Sequence, residues 1–212
     1  MPTPDDRRPA LATLMALLAA AVAFGAIVFL APAERQLGSG IRVVYVHVPL
    51  VWTGMLALVS AAIAGAFALA RPRGPSSSAA DAWGGALGMV GVVSYGAGVA
   101  MSLLAARINW GTLLWIEPRL AMSLRVVGLA LAVQFVAPRL ESVRARGAAR
   151  LAVAVFMLWS LYATPLYVHP RDPIGTSAAW QIRGAFYSLF AILALTGAWA
   201  ATQLRMRARV ED

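Results

Sequence analysis

Long apolar blocks alternate with short polar connections along this chain, and six such blocks can be counted. They run roughly from Ala10 to Ala31, Val43 to Ala70, Ala82 to Ala106, Leu120 to Ala137, Leu151 to Val168 and Gln181 to Leu204. A helix rises 1.5 Å per residue, so each block predicts a helix that crosses about 30 Å of hydrocarbon. The connections are rich in turn formers, as in Arg71-Pro72-Arg73-Gly74-Pro75 and Pro170-Arg171-Asp172-Pro173. The expected fold is therefore an all-α integral membrane protein, a six-helix transmembrane bundle forming a single domain over residues 1–212.

Composition agrees with that pattern. The chain is 60% hydrophobic and only 13% charged, with a mean hydropathy of +0.73. A soluble domain carries roughly 25% charged residues, so the lipid bilayer is the expected solvent. Arg7-Arg8, the first apolar block and Ala31-Pro32-Ala33 superficially resemble a secretory signal. That block is about 22 residues long, however, against roughly 7–15 for a signal core, and it predicts a retained first helix.

All 18 basic residues are arginine, and the net charge is +9. The arginines sit in short connections between apolar blocks, which fits lipid head groups and the positive-inside rule and gives no reason to expect a nucleic-acid partner. Eleven lie in the two tails and the second and fourth connections, against six in the other three. That asymmetry predicts both termini in the cytoplasm, N-in and C-in. The outer side then holds the stretches Pro32 to Arg42, Arg107 to Arg119 and His169 to Trp180. Both histidines of the chain, His47 and His169, fall at this face. His47 is expected within about the first turn of the second helix, where Pro49 would be tolerated.

Cysteine is absent, which removes disulfides, thiol redox chemistry and thiolate-bound metals. Hydrolytic and nucleotide-binding motifs are absent as well, so an ATPase activity would have to come from a partner. Two imidazoles without cysteine fit bis-histidine haem iron, although a helix-end hydrogen-bonding role for each histidine stays open. Two histidines with one glutamate are also a zinc or non-haem iron set, but no Glu-x-x-His spacing accompanies them.

A haem needs flat aromatic walls and cations for its propionates. Trp52, Trp110, Trp115 and Trp180 are candidates for the first, and Arg119, Arg107 and Arg183 for the second. The stretch Arg107 to Arg119 is apolar and aromatic, and it is expected to lie in the interface; a plain aromatic belt is its simplest reading. Arg125, inside the fourth block, is either a site residue or a snorkelling side chain. The third block carries Gly84, Gly85, Gly88, Gly91, Gly96 and Gly98, which points to close helix packing, with a flat-ligand cavity as the other possibility.

The segment Tyr45-Val46-His47-Val48-Pro49-Leu50-Val51-Trp52 resembles the histidine-valine-proline-x-x-tryptophan segment of the CcmC family, haem-handling membrane proteins of cytochrome c maturation. Trp110-Gly111-Thr112-Leu113-Leu114-Trp115-Ile116-Glu117-Pro118-Arg119-Leu120 resembles that family's tryptophan-rich "WWD" motif. It departs from the motif in having fewer tryptophans and Glu117 in place of aspartate.

The resemblance implies haem b at the outer face, with His47 and His169 as axial ligands and Trp52, Trp110, Trp115, Glu117 and Arg119 around it. It implies a delivery protein of the bacterial inner membrane that is not itself an enzyme. Its implied partners are a membrane-anchored periplasmic haem chaperone similar to CcmE, the ABC-type subunits CcmA and CcmB, and the small membrane protein CcmD. Two alternatives are a haem lyase-like enzyme attaching haem to apocytochrome c and a cofactor-free permease subunit of an ABC exporter. The permease predicts a coupling helix, for which the stretch from Pro138 to Arg150 is short.

Overall fold

A computed structural model describes residues 4–71, 73–113, 115–166 and 174–211, with side chains described between residues 11 and 207. The described residues are helical and contain no strand, only an isolated bridge between Glu34 and Gly38. Six helices follow in order: α1 Pro4–Leu30, α2 Ile41–Ala70, α3 Pro75–Trp110, α4 Pro118–Val136, α5 Val143–Ala163 and α6 Trp180–Glu211. A single 3-10 turn, Ala137–Arg139, leads out of α4.

Each of the six apolar blocks thus holds a helix, but among the described residues five helices are long and apolar enough to cross a membrane. The exception is α5. It starts at Val143, where the Ser142 hydroxyl caps the Ala145 N–H at 3.4 Å, and it ends at Ala163 before Thr164-Pro165. Its 21 residues span about 31 Å. Its first two turns, however, hold Arg144, Arg146 and Arg150, so the apolar stretch is shorter than the expected block from Leu151 to Val168. The stretch assigned above to a connection is largely the start of this helix. Only Leu140 to Ser142 separate it from the 3-10 turn, which leaves no room for a coupling helix.

Two helices extend past their blocks for local reasons. Proline is favoured in the first turn, where its missing N–H is no loss, and Pro75 and Pro118 open α3 and α4. Gly111, with φ +73°, closes α3 in the left-handed conformation natural to glycine. Trp110 is therefore the last residue of α3, where the sequence had predicted a connection. The start of α2 at Ile41 places His47 about 9 Å along the axis, deeper than one turn. Pro49 consequently lies inside the helix, where the Tyr45 carbonyl loses its usual N–H partner.

α2 is the central helix, packed against α3 and α5 and more lightly against α6 and α1. Glycines set the spacing. A Cβ on Gly54 would stand 2.4 Å from the Tyr95 backbone nitrogen, and one on Gly98 would stand 2.8 Å from that of Val51. On the other side, a Cβ on Gly65 would lie 2.7 Å from the Gly147 carbonyl oxygen. Lipid supplies little hydrophobic drive between helices, so such backbone approaches give the dispersion contacts that hold them together. The glycine-rich helix α3 is thus explained mainly by packing. A core of Leu58, Val92, Tyr95, Val99, Met122, Val126, Val153 and Met157 fills the space between α2, α3, α4 and α5.

The contacts define two ends. At one end, Arg150 and Arg146 of α5 meet Asp81 of α3 at 2.5 and 2.7 Å, and Arg205 of α6 stacks over Trp83 at 4.6 Å. At the other, Val28 of α1, Ile41 and Tyr45 of α2 and Ile182 and Phe186 of α6 form a second core. The arginine-rich connections share the first end, and His47 belongs to the second.

Candidate functional site

At the end opposite the Asp81 cluster, a cavity of about 480 Å³ opens between α2, α3, α5 and α6. That volume lies within the range of small-molecule and cofactor sites. His47, Trp52, Trp110 and Arg119 all line it, alongside Ser102 and apolar side chains such as Val51 and Met55. Four of the sequence-predicted residues are thereby brought together from α2, α3 and α4.

His47 is held by its neighbour helix. Its Nδ1 lies 2.8 Å from the carbonyl oxygen of Gly98. A carbonyl only accepts, so Nδ1 carries the hydrogen, and in the neutral ring Nε2 carries the lone pair. The same backbone anchoring orients metal-ligating imidazoles and raises their basicity. The contact exists because Gly98 lets α2 approach α3 so closely. Two residues before His47, the fully buried Tyr45 donates its hydroxyl to the Pro32 carbonyl at 3.2 Å and ties the start of α2 to the preceding connection.

Trp52 packs edge-on against Phe186 at 5.2 Å and Phe190 at 5.8 Å, both on α6. Phe186 and Tyr187 complete this aromatic wall, and Tyr187 and Trp52 are partly exposed, so the cavity reaches the surface between α2 and α6. Neither Phe186 nor Tyr187 was singled out from the sequence. The signal was there in the run Phe186-Tyr187 and Phe190, six to ten residues beyond Trp180.

A smaller cavity of about 140 Å³ adjoins the first and shares His47, Ser102, Arg119 and Leu161 with it. Glu117 lines this chamber and is 5% exposed. Tyr95, whose hydroxyl lies 3.3 Å from Ser123 Oγ, lines it too. Glu117 precedes Pro118 as the residue capping α4, and its carbonyl accepts the Leu120 N–H at 3.0 Å. Arg119 is half-buried between the two cavities, and among the described residues its Nε has no hydrogen-bond partner. An unpartnered buried guanidinium N–H facing a cavity is the feature an anionic group would satisfy.

Other expected residues stand apart. Trp115 is 62% exposed and lines neither cavity. Trp180 and Arg183 are exposed at the start of α6, and Arg107 donates to the Gly111 carbonyl at the end of its own helix. Arg125 is exposed on α4 and away from both cavities, as a snorkelling side chain would be. His169 lies outside the described residues, but Leu166 and Ile174, on either side of that stretch, both line the larger cavity. Among the described residues, no three His, Cys, Asp or Glu side chains gather as a metal cluster.

The residues present fit a haem in kind: an anchored imidazole, two indoles, a phenol-bearing aromatic wall and a guanidinium with an unused donor. No protein-family model matches the chain, and no curated protein matches it either.

Proposed function

We propose that this protein binds haem b in the cavity beside His47 and hands it to a membrane-anchored haem chaperone during cytochrome c maturation, as the resemblance to the CcmC family implies. The observation that carries the proposal is the His47–Gly98 hydrogen bond at the wall of a cavity lined by Trp52, Trp110 and Arg119. His47 would present Nε2 to the iron, and His169 is the proposed second ligand. Trp52 and Trp110 would wall the macrocycle, and Arg119 would hold a propionate, with Glu117 buried beside it. Trp115, being exposed, would contact the chaperone in preference to the haem.

Bound haem would supply an iron centre; the chain itself would orient it, wall it and balance its charge. In the proposed orientation both termini lie in the cytoplasm of a bacterial inner membrane and the cavity faces the periplasm. The arrangement of arginines supports this, because the end carrying the Asp81 cluster also carries Arg71, Arg73, Arg139, Arg144 and Arg205. CcmA, CcmB and CcmD are the proposed assembly partners, with ATP hydrolysis in the ABC subunits. The function is delivery, without catalysis by this chain.

The test is a transfer assay. Haem-loaded protein in detergent is mixed with a haem chaperone of the CcmE type, and the two are separated. Haem appearing on the chaperone from the native chain, and not from His47→Ala, is the expected result. Haem found covalently attached to an apocytochrome by this chain alone would overturn the delivery reading.

A further inference from the structure

A second site lies at the opposite end of the bundle. Between the α2–α3 connection and the start of α5 is an open depression of about 530 Å³ lined by Arg71, Arg73, Ser142, Val143 and Arg144. Three guanidinium-bearing residues, two from the α2–α3 connection and one from the start of α5, meet there, and among the described residues no carboxylate lines it. Among the described residues none of the three forms an ion pair. The nearby Asp81 is already engaged by Arg146 and Arg150, and Glu141, next in the chain to Ser142, is exposed and pairs with none of them. Clustered cations with no counter-charge repel one another, and an anion in the depression relieves that cost.

The chemistry suits a phosphate. The Arg71 guanidinium stacks over the Phe67 ring at 5.3 Å, which occupies its face and leaves its in-plane N–H groups for a tetrahedral oxyanion. Arg144 lies in the first turn of α5, where the leading N–H groups of a helix have no acceptor within it.

Position narrows it further. The apolar span of α2 ends at Ala70, one residue before Arg71, so the depression lies where hydrocarbon gives way to head groups. Below Arg144, the side chains of Ala148, Leu151 and Val155 follow at i+4, i+7 and i+11 as one exposed stripe, Val155 being 58% exposed. A cationic cup above an apolar stripe matches a phospholipid in shape.

We infer that Arg71, Arg73 and Arg144 form a binding site for the phosphate head group of an anionic phospholipid. The inference rests on the membrane-spanning helices and holds whether or not haem is the ligand at the other end. Basic pockets between helix ends are a recurrent mode of anionic-lipid binding.

The experiment is native mass spectrometry of the full chain released from detergent, titrated with phosphatidylglycerol or phosphatidylcholine. Wild type should retain phosphatidylglycerol selectively. Arg73→Gln with Arg144→Gln should weaken that retention roughly tenfold. Arg35→Gln with Arg42→Gln, an equal charge change at the other end, should leave it unchanged. Equal weakening in both double variants, or equal retention of the two lipids, overturns the site. Displacement of the lipid by inorganic phosphate at equal concentration assigns the site to soluble phosphate and overturns the lipid. If the glutamine variant melts early, Arg73→Lys with Arg144→Lys decides: retained selectivity supports the site, and lost selectivity with a native melting temperature overturns it.

Discussion

His47 donates its Nδ1 hydrogen to the carbonyl oxygen of Gly98 across 2.8 Å, and this bond joins the two most closely packed helices at the wall of the larger cavity. Histidine and glycine are coupled here: the ring has its orientation because the glycine has no side chain. A Cβ at Gly98 would stand 2.6 Å from Val51 Cγ2 and 2.8 Å from the Val51 nitrogen. Gly98→Ala should therefore push α2 from α3, release the imidazole and lower stability by about 1–3 kcal/mol. Gly96→Ala is the contrast, because its Cβ would meet only Val127 Cγ1 at 4.0 Å. Thermal melting and haem retention should both fall in the first variant and neither in the second.

Arg119 offers a prediction that separates charge from packing. Its Nε, without a hydrogen-bond partner among the described residues, lies between the two cavities, whereas Arg125, also on α4, is exposed away from them. Arg119→Gln should weaken haem retention roughly tenfold, the worth of one charge-assisted hydrogen bond. Arg125→Gln should leave it unchanged. Haem titration of the purified variants makes the comparison.

At the other end, Arg150 is 7% exposed and its NH1 donates to Asp81 at 2.5 Å. Asp81→Asn leaves that guanidinium buried beside a neutral amide, and breaking such a pair costs about 3 kcal/mol. Arg146→Gln removes the more exposed partner but leaves Asp81 paired with Arg150, so it should cost less than Asp81→Asn. Thermal melting in detergent should rank the two in that order. Haem bound per folded molecule should be unaltered in both, since the cluster is remote from the cavity.

The contact between Gly65 and Gly147 is made by backbone alone. A Cβ on Gly147 would come within 2.5 Å of the Gly65 carbonyl oxygen, while Gly128 faces open space. Gly147→Ala should lower the melting temperature through separation of α2 and α5, and Gly128→Ala should not.

The helices were legible because an apolar block of sufficient length has few other fates in this composition. Their ends were less so. The aromatic residues after Ala106 read as a connection, yet α3 runs on until Gly111 supplies a left-handed stop. Arg144, Arg146 and Arg150 read as a polar loop, but Ser142 caps a helix there and Asp81 takes up two of the charges. His47, Trp52, Trp110, Glu117 and Arg119 were found through motif and chemistry, and the fold brings them to two adjoining cavities. Gly98 was hidden among six glycines of one helix, since what sets it apart is the side chain across the interface. Phe186 and Tyr187 were hidden because an aromatic residue in an apolar helix faces lipid as readily as a cavity.

Haem binding at His47 can be read optically. Its most direct test is the absorption spectrum of the detergent-purified chain, expressed with ample haem, beside those of His47→Ala and Trp115→Ala. The native protein should show a Soret band that is lost or strongly reduced in His47→Ala and kept in Trp115→Ala. A native protein that folds, melts normally and shows no Soret band, or one whose band is indifferent to His47→Ala, would contradict it.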